Sequence, residues 1–370
     1  MKKILFTAST WSHLCNFHLP YMRAFREMGW EVHAACAGEK RDIPCADRSF
    51  ALPLEKSMTS PGNFRAALLL RREIRKERYD VLSCHTALAS CFARLAVMGL
   101  KNRPAVVNIC HGYLFDDDTP LFRRLLLSAA EKFTAPVTDL LMTMNDYDDR
   151  LARKKKLGKK IVRIPGMGVD FGRLDPEPEA GRELRRELGF SEKNILLVYG
   201  AEFSKRKNQA MLIRAMRLLP RETVLLLPGE GTMRSECMAL AEKLGVSERV
   251  VFPGHVPMGE WLSAADIAVS SSRSEGLPFH MMEAMYAGLP VAASRVKGHT
   301  DLITEGENGF LFSFNGEEEC AEAVRKLLDG ETRADMGRNA AESVKRYSLK
   351  QVFPQVMAAY ETLSCLKTEK

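Results

Sequence analysis

Short apolar runs recur along this chain, each separated from the next by a stretch of helical periodicity. Residues 3–8, 30–35, 79–84 and 105–109 are such runs, with helical segments over 17–28, 64–77 and 87–98. Brief polar turns join them. Continuous apolar runs that alternate with helices predict parallel strands covered on both faces, because only crossover helices can connect parallel neighbours. After Asp175-Pro176-Glu177-Pro178-Glu179, a Pro-rich acidic stretch with the composition of a surface linker, the pattern begins again. Residues 194–200, 223–227, 249–252, 267–270 and 290–293 are its strands, and 209–219 is a helix.

A chain of 370 residues is long enough for two such domains, each with its own core. The expected fold is α/β, with two Rossmann-like doubly wound domains. The first spans 1–175 and the second 185–350, and a last helix (about 352–370) packs back on the first. Strand C-termini and helix N-termini would then face an interdomain cleft. That architecture alone suits a transferase, an epimerase, a phosphorylase or a binding protein equally.

Composition narrows the setting. No apolar run approaches the length of roughly 18 residues that a membrane span needs, and the N-terminal apolar segment is too short for a signal peptide. The nine cysteines are an odd number with no Cys-x-x-Cys pair, so reduced thiols in a cytoplasmic protein are expected rather than a disulfide framework or a zinc site. The net charge of +7 arises entirely in the first 180 residues, where 29 Lys and Arg face 21 Asp and Glu. An anionic partner suits that half. No aromatic residues interleave with the basic clusters 64–78 and 153–160, which disfavours nucleic acid and leaves a membrane surface or a solvated helix face.

The most informative segment is Ser272-Arg273-Ser274-Glu275-Gly276-Leu277-Pro278-Phe279-His280-Met281-Met282-Glu283. It leaves a strand and enters a helix. Gly276 permits close backbone approach to a ligand, and Pro278 suits a helix entrance. The positive end of the helix dipole there favours an anion. Glu283, about one turn in, is placed to accept from two ribose hydroxyls, and Glu275 to hold hydroxyls of a sugar. Lys207, between a strand and the next helix, is placed to meet the charge that develops on a departing diphosphate.

This segment resembles the Glu-x7-Glu signature of the retaining glycosyltransferases of family 4, which have the GT-B fold. The resemblance covers nearly the whole chain and is closest to bacterial transferases of capsule and exopolysaccharide assembly. Supporting matches are Ser12-His13, His18-Leu19-Pro20, Cys84-His85-Thr86, His111-Gly112, Gly229-Glu230-Gly231 and Glu307-Asn308-Gly309-Phe310. The resemblance implies transfer from a nucleotide-diphosphate sugar with retention of configuration. Lys207, Arg206, Gly229, Gly231, Glu275, Gly276, Leu277 and Glu283 would bind the donor, and His111 would lie near the reacting sugar with Lys207 and Glu275. His85 and His18 are weaker candidates of the same kind. Glu202 stands where the family carries a second phosphate-binding arginine, and Arg206 or Lys205 is the expected substitute.

No metal is expected. Asp116-Asp117-Asp118 reads as a solvated acidic loop, and Lys207 with a helix dipole would carry the leaving charge, so no cofactor beyond the nucleotide sugar is required. The expected acceptor is a lipid-linked glycan at the inner face of the cell membrane. The rival functions are a nucleotide-sugar epimerase and a non-catalytic nucleotide-sugar sensor.

Overall fold

The computed structural model describes residues 1–174 and 177–363. The chain forms two compact units. One comprises Met1–Gly168 together with the chain from Lys350, and the other is Val169–Leu349.

The first unit is built on seven strands, β1 (Lys3–Ala8), β2 (Glu31–Ala37), β3 (Arg48–Leu52), β4 (Val81–His85), β5 (Ala105–Cys110), β6 (Leu140–Thr143) and β7 (Lys160–Arg163). They pair in the order β3-β2-β1-β4-β5-β6-β7, and every ladder is parallel. Leu5, Ala35, Leu82 and Val106 face the helix Pro61–Glu77, which presents Ala66, Ala67, Leu70 and Ile74 to them. That inward stripe is the one its periodicity predicts. The direction of winding reverses between β1 and β4, so the loops after these strands flank a crevice at their C-terminal ends.

The second unit repeats the plan with β8 (Ile195–Val198), β9 (Thr223–Leu226), β10 (Val250–Val251), β11 (Ile267–Ser270), β12 (Val291–Ser294) and β13 (Gly309–Phe312). Their order is β10-β9-β8-β11-β12-β13, again all parallel. The reversal here lies between β8 and β11. Leu197, Met211, Leu225, Ile267 and Phe312 belong to its core.

Three local expectations are corrected. The helix expected over 17–28 is Leu19–Glu27, but the segment before it, not expected to be helical, forms another helix, Trp11–Phe17. Pro20 lies in the first turn of Leu19–Glu27, where its missing N–H costs nothing, and it cannot continue Trp11–Phe17. Pro178 and Glu179, read as linker, begin the helix Pro178–Glu187, with Pro178 in its first turn. Asp175 and Pro176 lie outside the described residues. The second unit starts earlier than residue 185, because Val169 already pairs with its far end. The Val169 N–H donates to Tyr347 O (2.9 Å), and Leu349 N–H donates to Val169 O (2.8 Å).

The last helix, Leu349–Tyr360, belongs to the first unit from Lys350 onward. Tyr360 is fully buried there, and its hydroxyl lies 2.6 Å from Ser83 Oγ. Phe353 stacks on Tyr21 at 5.3 Å.

Candidate functional site

In the second unit the loops after β8 and β11 meet at the reversal point. The β8 loop carries Lys207 and then opens the helix Gln209–Ala215 through Asn208, whose backbone is left-handed (φ 54°). The β11 loop holds it in place. Ser271 Oγ donates to the carbonyls of Lys207 (3.0 Å) and Asn208 (2.9 Å), and Arg273 N–H donates to Arg206 O (2.8 Å).

On this frame Lys207 Nζ donates to Glu275 Oε1 at 2.6 Å, with both side chains buried. Ser272 Oγ also donates to Oε1 (2.6 Å), and the Tyr199 hydroxyl supports Ser272 at 2.7 Å. Arg206 donates to Glu275 Oε2 (2.9 Å) and to Ser274 O (3.1 Å). Burial alone would push the Glu275 carboxyl up. The Lys207 ammonium and the Arg206 guanidinium overcome that and hold it well below the usual carboxylate range. Burial lowers the Lys207 pKa, against the pull of Glu275. A carboxylate that stays ionised beside an ammonium makes this a charged pair at neutral pH.

Of the two expected substitutes for the missing arginine, both exposed, Arg206 donates to Glu275. Glu202 itself is exposed and contributes its backbone carbonyl, which accepts from Gln209 Nε2 at 3.0 Å.

Gly276, Leu277 and Pro278 lead into the helix Phe279–Tyr286. Pro278 at its N-terminus makes no side-chain cap and its first turn carries no acidic residue, so no carboxylate of its own offsets the dipole there. Glu283 lies on this helix and is half-buried, and its carboxylate has no hydrogen-bond partner among the described residues. Burial raises its carboxyl pKa.

Gly229 and Gly231 serve a close backbone approach. The Pro228–Gly231 segment continues the pairing of β8 with β9, with Ala201 N–H donating to Pro228 O (3.0 Å) and Phe203 N–H to Glu230 O (2.8 Å). A Cβ on Gly229 would lie 2.1 Å from Ala201 O, and one on Gly231 would lie 2.3 Å from Phe203 O. These glycines therefore set the shape of the Lys207 loop from behind.

Several participants were not singled out from sequence. Tyr199 and Ser272 orient Glu275, as above. Gly298 backs the same loop with φ +82°, its absent Cβ only 2.8 Å from Gly276 O. His299 is fully buried, donates from Nδ1 to Ser294 O (2.7 Å), and is lowered by burial to about 4, so it is neutral. A glycine just after a strand was the available signal for Gly298. Tyr199 and Ser272 resemble ordinary core and loop residues in the sequence.

His111 belongs to the first unit, directly after β5. It lies in a group of four histidines at the reversal point of that sheet. His13 follows β1, His18 separates the two helices Trp11–Phe17 and Leu19–Glu27, and His85 ends β4. His13 Nε2 and His111 Nε2 are 3.3 Å apart, and the rings of His18 and His85 are 3.7 Å apart between centroids. Burial depresses the pKa of all four, and neighbouring imidazoles lower those of His18, His85 and His111 further.

The acidic triplet is engaged locally. Thr119 Oγ1 donates to Asp116 Oδ1 (2.6 Å), and Asp117 lies 3.5 Å from Arg124.

Residues 181–343 match the model of the glycosyl transferases group 1, and residues 21–172 match that of Glycosyltransferase Family 4. EpsD of Bacillus subtilis (strain 168), itself assigned as a glycosyltransferase, is 34% identical over 100% of this chain and 99% of its own length. The chain belongs to glycosyltransferase family 4. Its more distant relatives include the UDP-Gal:alpha-D-GlcNAc-diphosphoundecaprenol alpha-1,3-galactosyltransferase of Escherichia coli, 23% identical over 80% of this chain and 79% of that one. Among solved structures, Anabaena HepE in complex with UDP and glucose superposes with a TM-score of 0.79 at 19% identity, covering 98% of this chain and 100% of that one. This transferase therefore has the GT-B fold. The group 1 match includes Lys207, Glu275 and Glu283, and the family 4 match includes His85 and His111.

Proposed function

We propose that this glycosyltransferase moves a sugar from a nucleoside-diphosphate sugar to a lipid-linked glycan acceptor, with retention of configuration and without a divalent cation. The observation that carries the donor assignment is the buried Lys207–Glu275 pair at the β8/β11 reversal point, with Arg206 on the second carboxylate oxygen. Cleavage of the donor leaves one further negative charge on the diphosphate, on the oxygen that held the sugar. Lys207, Arg206 and the amide end of the helix Phe279–Tyr286 supply fixed positive charge for it at no reorganisation cost. Glu275, already ionised and oriented by Ser272, accepts hydroxyls of the transferred sugar. Glu283 accepts from the ribose, which supplies hydrogen-bond donors that this half-buried carboxylate lacks among the described residues. His111 stands beside the reacting sugar as a neutral imidazole.

The acceptor assignment draws on the first unit. The helix Leu121–Thr134 exposes Leu121, Phe122, Leu125, Leu126 and Phe133, and Phe122 is 81% exposed. Leu126 and Leu127 border a groove of about 700 Å³ with Leu54, Met58, Leu88 and Leu114, next to Ser9 and Thr10 at the end of β1. Arg123, Arg124 and Lys132 flank the exposed face. An apolar face with a basic rim suits an anionic bilayer carrying a diphosphate-linked lipid. The diphosphoundecaprenol substrate in the name of the Escherichia coli relative favours the same class. No helix among the described residues is long and apolar enough to cross a membrane.

The deciding experiment supplies the protein with a panel of nucleotide sugars and polyprenyl-diphosphate-linked acceptors in excess chelator, and follows product by mass and anomeric configuration. Transfer to a lipid-linked acceptor with the donor's anomeric configuration supports the proposal. Isomerised donor without acceptor would make the protein an epimerase, and saturable donor binding with no turnover would make it a sensor.

A further inference from the structure

Four of the first unit's histidines, His13, His18, His85 and His111, cluster together, and their arrangement has a chemistry of its own. One ring nitrogen each of His13, His18 and His111 lies within 4.8 Å of the other two. The His13 Nε2 to His111 Nε2 separation is 3.3 Å. Two imidazole nitrogens bound to one tetrahedral zinc at the usual Zn–N length of about 2.0–2.1 Å are about 3.3–3.4 Å apart. His18 is fully buried, and neither of its ring nitrogens has a hydrogen-bond partner among the described residues. A buried imidazole ordinarily donates at one nitrogen and accepts at the other, so both ring nitrogens of His18 lack the partner that burial calls for, and one of them lies in this cluster.

We propose that His13, His18 and His111 form a binding site for a divalent transition metal of the zinc class. Three neutral imidazoles with no carboxylate select Zn²⁺, Ni²⁺ or Cu²⁺ over Mg²⁺ or Mn²⁺, which need oxygen ligands. The site is therefore distinct in kind from a magnesium that would assist a diphosphate leaving group. His13 and His111 are only half-buried, which leaves an entry path and room for a fourth, exchangeable ligand. The other histidine-containing cluster among the described residues, Glu31, His33 and Glu77, has its groups taken up by Lys3, Arg48 and Tyr79. Metal on His111 would withdraw that side chain from the sugar, so occupation is inhibitory; this consequence alone rests on the proposed role of His111.

The test uses the full chain stripped with chelator and titrated with Co²⁺ by visible absorption, then with Zn²⁺ by calorimetry. One equivalent should bind, with the intense d–d bands of a low-coordinate cobalt site. His13→Ala should weaken binding at least about 100-fold, and His18→Asn, which keeps a polar side chain at the buried position, should do the same. Cys15→Ser should leave binding unchanged, since a thiol plays no part. Absence of saturable binding overturns the site, as does stoichiometric binding that survives His13→Ala or vanishes in Cys15→Ser. If Zn²⁺ binds as described, transfer should fall with the same midpoint and recover on chelation. Binding without inhibition would keep the metal site and remove His111 from the reaction centre.

Discussion

Lys207 Nζ lies 2.6 Å from Glu275 Oε1 although the two residues are 68 positions apart, and the carboxylate's other oxygen is held by Arg206. The pair joins the two loops of the β8/β11 reversal point into one charged unit, so each member sets the position of the other. Lys207→Ala should lower transfer by about 10²–10³-fold, the usual cost of removing one preorganised group that stabilises developing charge. It also leaves Glu275 short of a buried partner, with Arg206 and Ser272 as its remaining support. Unfolding should therefore come at a lower temperature in Lys207→Ala than in the double variant Lys207→Ala/Glu275→Gln, where the uncompensated charge is removed. Initial rates of nucleoside-diphosphate release and thermal melts check both statements. Undiminished transfer would remove the phosphate role of Lys207.

Glu283 is half-buried, and burial raises its pKa. Hydroxyl donors from a ribose favour its charged form, so donor binding should weaken as pH falls through that raised value, earlier than an ordinary carboxylate would allow. Glu283→Gln should raise donor KM by about 10–100-fold, the range expected for hydrogen bonds to a charged group, while kcat changes far less. It should also flatten the acid limb of the KM profile. Unchanged KM in the variant would take the ribose away from Glu283.

Much of this site was legible because its chemistry needs rare residue types in a fixed context. A lysine after one strand, and a Glu-Gly-x-Pro turn into a helix after another, already point at a leaving diphosphate. What holds those groups was hidden. Tyr199 and Ser272 act through side-chain contacts between segments 73 residues apart, and nothing local marks them. The strands β3, β6, β7 and β13 were not singled out, and β10, expected over 249–252, is only two residues long. The helix Leu121–Thr134 was not singled out, and only the fold reveals that Leu121, Phe122 and Leu125 face outward.

Gly298 tests the support behind Glu275. Its φ of +82° disfavours any side chain, and a Cβ would sit 2.8 Å from Gly276 O and 3.1 Å from Glu275 Cβ. Left-handed backbone alone costs about 1–2 kcal/mol for a non-glycine residue, and the contact must be relieved by moving the Glu275 loop. Gly298→Ala should therefore reduce transfer severely while circular dichroism stays that of the wild type. Full activity in a folded Gly298→Ala protein would show that the loop position is not critical.

His299 supplies a pH signature for the second unit. Burial lowers its pKa from 6.5 to about 4, against the opposing pull of Glu275. The unfolded chain takes up a proton as pH falls below about 6.5 and the folded one does not, so the neutral ring's contribution is intact above that pH and is lost between about 6.5 and 4. At pH 5 the linkage amounts to roughly 2 kcal/mol from this residue. Urea titrations at pH 7 and pH 5 should show a larger acid loss in the wild type than in His299→Asn. Equal losses would mean that His299 is protonated in the folded protein.

The exposed face of the helix Leu121–Thr134 separates apolar from electrostatic contributions to membrane contact. Phe122 and Leu125 each expose more than half their surface, and burying such a side chain in a bilayer interface gains about 1.5–3 kcal/mol. Phe122→Asp/Leu125→Asp should therefore reduce sedimentation with anionic vesicles at least about 100-fold, without altering turnover of a short water-soluble acceptor. Arg123→Gln/Arg124→Gln should weaken binding less, and should flatten its dependence on salt, because screened charges at the rim act over about 10 Å at 0.1 M ionic strength. Vesicle binding that is unchanged in the aspartate variant would move the lipid contact away from this helix, to the basic segments 64–78 and 153–160.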